Sequence, residues 1–539
     1  MSASSKKKLR NAEQAEKMTE KQLAEQKEAK KLKLYTTLAV VILIALVVFA
    51  AYIGISRSIA NSGVRERNTV ALTIGEETIS NAEFNYFFID AVNKFYSDYG
   101  AYASILGLDT TKPLDEQILN EETKETWADD FINSAVENAK AIYALVNEAK
   151  ANGYTLPEEA TTEIDNTMAT MEMYATVYGY PDFESYLKAM YGNGATKESL
   201  RAYFELSELA SHYQNHYVSS LTYSDADLRA AESEDFNKYS SYNYNYYYLS
   251  VNDFLDGESA EATDKQRAAA EKQAEETAKA LAACSTVEEF DAAIAALPMN
   301  SELTDAASYA SKNVAKNTIY SGYADWVTDE ARKAGDTTYI ASTSTSTDDN
   351  GNSVEQVGGY YVVMFGSKND NNFAMSNVRH ILVTPEGGTY NSTTGLYDYT
   401  DEEKAAALEE AEAILNEWKA GDATEDSFAT LANEKSDDGD GTTGGLYEDI
   451  NPSTSFVTSF KDWALADHET GDTEIVWSEY GYHIMFYSGD SETTYRDYLI
   501  ANELRENDYT EWFTALTEAI SVTEESFKHI RTDLVLSAS

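Results

Sequence analysis

The first 33 residues are polar and lysine-rich and lack apolar positions at helical spacing, so they read as a solvated arm. From Leu38 to Ile55 the pattern inverts: 18 residues carry no charge, and with Leu34 to Thr37 the run reaches the roughly 20 needed to span hydrocarbon. Residues 34–56 are therefore predicted to form a transmembrane anchor. Beyond it, Val70 to Ile74 reads as a short strand and Gly75-Glu76-Glu77 as a turn. Ser80, with Glu83 three positions on, has capping-box spacing for a helix bearing Phe84, Tyr86, Phe87 and Phe88. Helical patterns follow at 121–151, 157–178, 182–191 and 197–217, with Pro157 and Pro181 near helix starts, where proline is tolerated. Residues 57–240 thus read as a helical domain.

From about residue 241 strands and helices mix, and one order of elements occurs twice. Residues 374–490 run through a strand (Val378 to Val383), a long helix (Glu402 to Lys419), a helical turn (Phe428 to Ala432) and a Gly-rich loop. They then pass Phe460-Lys461-Asp462-Trp463 and a Gly471-Asp472-Thr473 turn to a closing strand at Gly481 to Ile484. Residues 241–371 repeat this with a strand at Tyr247 to Val251, a helix at Lys265 to Ala282, Phe290, Tyr323-Ala324-Asp325-Trp326, Gly335-Asp336-Thr337 and Gly359-Tyr360-Tyr361-Val362. Ser342 to Asn352, rich in Ser, Thr, Asp and Asn, reads as a surface loop, and Tyr242 to Tyr248 as an edge strand of stacked tyrosines. An amphipathic run with Tyr498, Leu499, Leu504, Trp512, Phe513 and Leu516 makes 491–539 a C-terminal helix expected to pack on the helical domain.

Charge narrows the function. The formal net charge is -51, and because residues 1–33 carry ten Lys or Arg against five Asp or Glu, the rest holds about -56. Nucleic acid is excluded as a partner. The lysines on the near side of the apolar run place 1–33 in the cytosol and the bulk of the chain outside, as a single-pass membrane protein. The competing reading is a cleaved signal peptide, whose n-region would be unusually long. The single cysteine, Cys284, rules out an intramolecular disulfide. His212 and His216 share a helix face, yet no third ligand accompanies them, and the acidic run after Asp437 has Thr443 where a calcium loop needs glycine. No metal and no cofactor is expected.

Five words in 374–490 carry a resemblance: Arg379-His380-Ile381-Leu382-Val383, Phe428-Ala429-Thr430-Leu431-Ala432 leading to Ser436-Asp437-Asp438, Gly444-Gly445-Leu446, Phe456 with Phe460, and Gly481-Tyr482-His483-Ile484. In this order they resemble the parvulin peptidyl-prolyl isomerases. The capped strand-turn-helix opening, with several helices after it, is similar to the chaperone domain of PrsA- and SurA-like extracytoplasmic foldases. The fold this implies is multidomain α+β, with an N-terminal transmembrane helix, a helical chaperone domain and two tandem parvulin-like domains. Two departures stand out: the usual Gly-Asp-Leu-Gly reads Gly445-Leu446-Tyr447-Glu448, and Gly387 to Tyr399 lengthens the first loop.

The resemblance implies catalytic roles for His380, Asp438 and His483 and a proline pocket of Leu446, Phe456 and Phe460. Aligning Val251 with Val383 and Gly359 with Gly481 puts Tyr248 and Tyr361 where the histidines stand, so the first copy is expected to be degenerate. The loop from Pro385 to Glu403 has no Arg or Lys, which disfavours phosphoserine-proline selectivity. The implied activity is cis-trans isomerisation of X-Pro bonds in a bacterial cell membrane foldase. Its implied partners are unfolded or newly exported polypeptides, with a homodimer as the oligomer compatible with them. Two alternatives stand beside it: a non-catalytic holdase or envelope scaffold that only grips extended chain, and an adhesin or wall-binding protein.

Overall fold

The structure, a computed structural model, describes residues 3–16, 30, 33, 42–54, 56–59, 61–255, 262–300, 309–347, 353–439 and 441–536. Residues 34–41 of the expected anchor lie outside these. Among the described residues one helix, Ile42–Ile59, is long and apolar enough to cross a membrane. Ala3–Glu16, expected as an arm without packed structure, is a helix whose described side chains are exposed. The rest divides into two compact units, 1–221 with 509–539, and 222–508.

In the first unit, strands β1 (Val70–Ile74) and β2 (Glu77–Ser80) form a hairpin, and Ser80 and Glu83 close a capping box on helix α1 (Asn81–Tyr99). Helices α2 (Trp127–Ala151), α3 (Glu158–Val177), α4 (Phe183–Tyr191) and α5 (Lys197–Ser220) follow. The second helix starts at Trp127, later than residue 121, because Ile118–Asn120 and Glu125–Thr126 pair as a small hairpin and Thr126 caps the helix. Phe84, Tyr86, Phe87, Phe88, Trp127 and Phe131 are buried in one core. Part of this unit comes from the far end of the chain. Trp512 stacks on Tyr217 at 3.7 Å between ring centroids, and with Phe513 and Leu516 packs against Leu145, Val146 and Tyr213. Strand Val522–Glu524 then pairs antiparallel with β1, and Ile530 enters the main core. Asn81, fully buried, donates to Thr69 O and Ser526 O and accepts from His529 N; Asn85 accepts from Arg531 N.

The second unit opens with helix α6 (Asp225–Glu234), which therefore lies outside the helical domain expected to run to residue 240. The buried Arg496 explains the grouping: it donates to Glu232, to Phe236 O at 2.6 Å and to Asp370 O at 2.8 Å, with its guanidinium 3.7 Å from the Phe236 ring.

A four-stranded antiparallel sheet follows, in the order β4-β3-β6-β5, from β3 (Ser241–Ser250), β4 (Ala310–Ala315), β5 (Thr337–Thr347) and β6 (Ser353–Asn369). Helices α7 (Asp264–Leu281) and α8 (Val287–Ala295) cover one face, and α9 (Ser321–Val327) packs on the other. Two expectations change here. The tyrosine-rich strand β3 is interior, bonded on both sides, with Tyr242, Tyr244 and Tyr247 buried. Ser342 to Thr347 is not a loop but strand paired with 353–359, since alternating Ser and Thr suit a two-stranded ribbon; residues 348–352 lie outside the described set.

The last sheet repeats the same relative order, β8-β7-β10-β9, from β7 (Ala374–Val383), β8 (Leu446–Ile450), β9 (Thr473–Ser478) and β10 (Gly481–Thr494). Helices α10 (Asp401–Ala420) and α11 (Glu425–Lys435) pack on one face around Trp418, Phe428 and Phe486. The short helix α12 (Thr458–Ala464) packs on the other, around Phe460, Trp463 and Met485. The lengthened loop after β7 folds as a hairpin, Thr389–Asn391 with Leu396–Asp398, and exposes Tyr390 and Tyr397.

Candidate active site

His380 and His483 sit on the two interior strands, β7 and β10. The antiparallel register puts His380 opposite Met485 and His483 opposite Leu382, so the imidazoles are diagonal neighbours on one face. Both are buried, and His380 Nδ1 lies 3.1 Å from His483 Nδ1. His380 Nε2 lies 2.9 Å from Asp438 Oδ2, and His483 Nε2 lies 2.8 Å from Ser478 Oγ.

Asp438 is brought there by a loop stitched to the end of β7. Leu382 N donates to Ser436 Oγ (3.0 Å), Asp437 N to Leu382 O (2.9 Å), and Thr384 N to Asp437 Oδ2 (2.8 Å). On the other side of the loop, His380 N donates to Gly445 O. Gly445 has φ +67°, and a Cβ there would fall 2.2 Å from His380 O, so the chain needs glycine to come this close.

Over the imidazoles stands an aromatic cup. Phe460 meets His380 and His483 edge-on at 5.2 and 5.3 Å; Phe456 lies 4.9 Å from Phe460; Tyr447 lies 5.0 Å from Phe456 and 5.3 Å from His380. Leu446, expected in this pocket, is not part of it. Its pairing opposite Arg379 turns it to the face of α11, where Arg379 bonds Glu425, whereas Tyr447, opposite Val378, shares the face of His380. Phe456 and Phe460 thus stand together beside the imidazoles, with Tyr447 rather than Leu446 on the same face.

The protons in this chain of contacts can be assigned. The hydrogen bond with His380, reinforced by one from Tyr447, holds the Asp438 carboxyl down at about 2, so it is ionised and only accepts. His380 Nε2 therefore carries the proton that faces Asp438. In the Nε2–H tautomer His380 accepts at Nδ1 from His483 Nδ1–H, which leaves His483 Nε2 to accept from the Ser478 hydroxyl. Burial, and then the neighbouring His380, lower His483 to about 4, so it is neutral at physiological pH. Burial, then Asp438, push the Tyr447 phenol up to about 12. The result is an aromatic cup floored by two imidazoles, with the negative charge of Asp438 at its rim. It contains donors and acceptors but no activated nucleophile, so it suits a reaction in which no bond is made or cut. Among the described residues no cluster of three or more His, Cys, Asp or Glu is arranged to hold a metal.

Tyr447 and Ser478 carry no role in the sequence reading, and Ser436 enters it only as part of the Ser436-Asp437-Asp438 word. Tyr447 stood in view as a departure from the usual loop word; Ser478 gave no signal, because its partner His483 is set by strand pairing. With Gly359 aligned on Gly481, Tyr361 takes the place of His483 in the first sheet. The place of His380 falls to Tyr246 rather than Tyr248: Tyr248 pairs with Tyr361 as Leu382 pairs with His483. The expected alignment counted Val251 within the strand, but that residue begins a 3-10 turn.

The rotamase family described as the PPIC-type PPIase domain matches residues 380–488. Eighteen chains of solved structures match. Among them are the peptidylprolyl isomerase PrsA of Bacillus cereus (25% identity over 28% of this chain and 50% of that one, TM-score 0.18) and that of Bacillus anthracis (21%, 28% and 59%, TM-score 0.17). PrsA of Bacillus subtilis matches at 13% identity over 73% of this chain and 86% of its own, with a TM-score of 0.24. The chain thus spans only half to three-fifths of the length of the first two. No curated protein matches it.

Proposed function

We propose, from the premise that residues 380–488 are a parvulin-type peptidyl-prolyl isomerase domain, that the whole chain is a membrane-anchored extracytoplasmic foldase. In this reading it binds unfolded, newly exported polypeptides and speeds isomerisation of their X-Pro bonds. The observation that carries the reading is the contact between the imidazoles of His380 and His483, backed by ionised Asp438 under the aromatic cup.

Rotating an X-Pro amide breaks its resonance, against a barrier of about 18–20 kcal/mol. A catalyst needs to hold the proline ring and to favour the twisted amide over the planar one. Phe456, Phe460 and Tyr447 take the ring. His380 and His483 hold the floor rigid, and the fixed dipoles and charge along Asp438–His380–His483 meet the changed charge distribution of the twisted amide without reorganising. In the first sheet, tyrosines replace both imidazoles, and that module serves binding rather than catalysis. The helix Ile42–Ile59 anchors the chain with residues 1–33 cytoplasmic, and the helical unit grips extended clients, as a monomer or a homodimer.

The test is cis-trans exchange of a proline-containing tetrapeptide, measured by NMR with the full chain in detergent and with its Asp438→Asn and His380→Gln variants. Acceleration by the wild type that both variants lose upholds the reading. A folded wild type that binds unfolded protein without accelerating exchange would replace it with the holdase.

A further inference from the structure

The phenol of Tyr447 stands where the usual loop word of such domains carries no phenol, and it reaches into the proton chain. Its hydroxyl donates to Asp438 Oδ2 at 3.0 Å, the same oxygen that accepts from His380 Nε2 at 2.9 Å. We propose that Tyr447 is a positioning residue: its hydroxyl pins the Asp438 carboxylate to the edge of His380, and so fixes His380 as the Nε2–H tautomer on which the direction of the whole chain depends.

The need for such a pin follows from where Asp438 sits. Its side chain is 40% exposed, on a loop that continues into Gly439, at φ +81°. A carboxylate so placed is readily drawn into solvent, and a single hydrogen bond to an imidazole leaves its orientation loosely set. With Tyr447 on β8 and His380 on β7, two donors from adjacent strands converge on one oxygen and leave it a single orientation. Were Asp438 to swing away, nothing would favour Nε2–H over Nδ1–H on His380. In the second tautomer His380 would present a proton to His483 Nδ1, and His483 and Ser478 would both have to reverse. The ring of Tyr447 has a separate task as a wall of the cup against Phe456, which a phenylalanine would perform equally.

Tyr447→Phe therefore isolates the hydroxyl. The effect on rate rests on the isomerase reading, but the effect on the tautomer does not, and the experiment separates them. Full-length protein labelled with 15N in its histidines is examined by magic-angle-spinning NMR, with the His380 signals identified by their loss in His380→Gln, and exchange of the tetrapeptide is measured in parallel. In the wild type His380 is a single Nε2–H tautomer. In Tyr447→Phe both tautomers are expected, with kcat/KM lower by roughly 5-fold, the size of one hydrogen bond lost at a solvated carboxylate. In an Asp438→Asn background the same substitution should leave the His380 tautomer populations unchanged. A single unchanged tautomer in Tyr447→Phe overturns the proposal, whatever the rate does. A tautomer shift in a chain whose wild type is inactive would uphold the pin and sink the isomerase reading.

Discussion

Acidification should loosen the isomerase module through His483. Its neutral form is held because burial depresses it from 6.5 to about 4, so between these values the opened chain binds a proton that the closed module refuses. The sign follows: the stability this group contributes is complete above 6.5 and is lost as pH falls toward 4. Between pH 7 and pH 5 the loss is about 2 kcal/mol, or roughly a 20-fold rise in opening. The background works the other way. At a net charge of -51, protonating surface carboxylates relieves self-repulsion and tightens a compact state. Hydrogen exchange of the full chain, corrected for the intrinsic pH dependence, measures the opening of Val378 to Val383 and Gly481 to Tyr487 at both pH values. Protection should fall about 20-fold in the wild type and stay level or rise in His483→Asn, where the amide still donates to His380 but cannot titrate. An equal fall in both proteins would refute the assignment to His483.

Three further outcomes are expected. Gly445→Ala, which sets a Cβ 2.2 Å from His380 O at φ +67°, should cost roughly 1–3 kcal/mol and open the β7–β8 pairing, seen as lost protection at His380 N. Phe460→Ala, at a side chain 2% exposed, should destabilise the module by roughly 3–5 kcal/mol, whereas Phe456→Ala, half-buried at the rim, should weaken peptide binding in an NMR titration and leave proteolytic resistance intact. Asn81→Ala should leave Ser526 O and His529 N without their buried partner at roughly 1–3 kcal/mol each, and so speed tryptic cleavage at Lys528 and Arg531.

The elements that announce themselves locally were legible. The capped aromatic helix at Ser80, the long helices and both strands carrying His380 and His483 follow from caps and periodicity that need no distant partner. What was not legible depends on pairing between distant segments. Tyr242 to Tyr248 could not be told from an edge strand, because edge or interior is decided by β4 and β6, tens of residues away. Ser342 to Thr347 looked like a loop by composition and is a strand because 353–359 lies beside it. The same holds for the site. Family words pointed to His380, Asp438, His483, Phe456 and Phe460, which the structure brings together, whereas Leu446 and Tyr447 fall on opposite faces, a one-residue difference that only the register with β7 settles.

The clamp of Asn81 and Asn85 on residues 526–531 has a bearing on the order of events in synthesis. The first unit is begun by residues 70–221 but lacks the third strand of its sheet and Ile530 of its core until residues 522–530 exist. Everything from 222 to 508 is made in the interval and can complete its own sheets first, since all their strands lie within that span. A chain cut between residues 508 and 522 would therefore own a finished isomerase module and a helical unit with one edge of β1 unpaired, Asn81 lacking Ser526 O and His529 N, and Asn85 lacking Arg531 N. Proteolytic resistance of the first unit therefore reports whether residues 522–531 are in place.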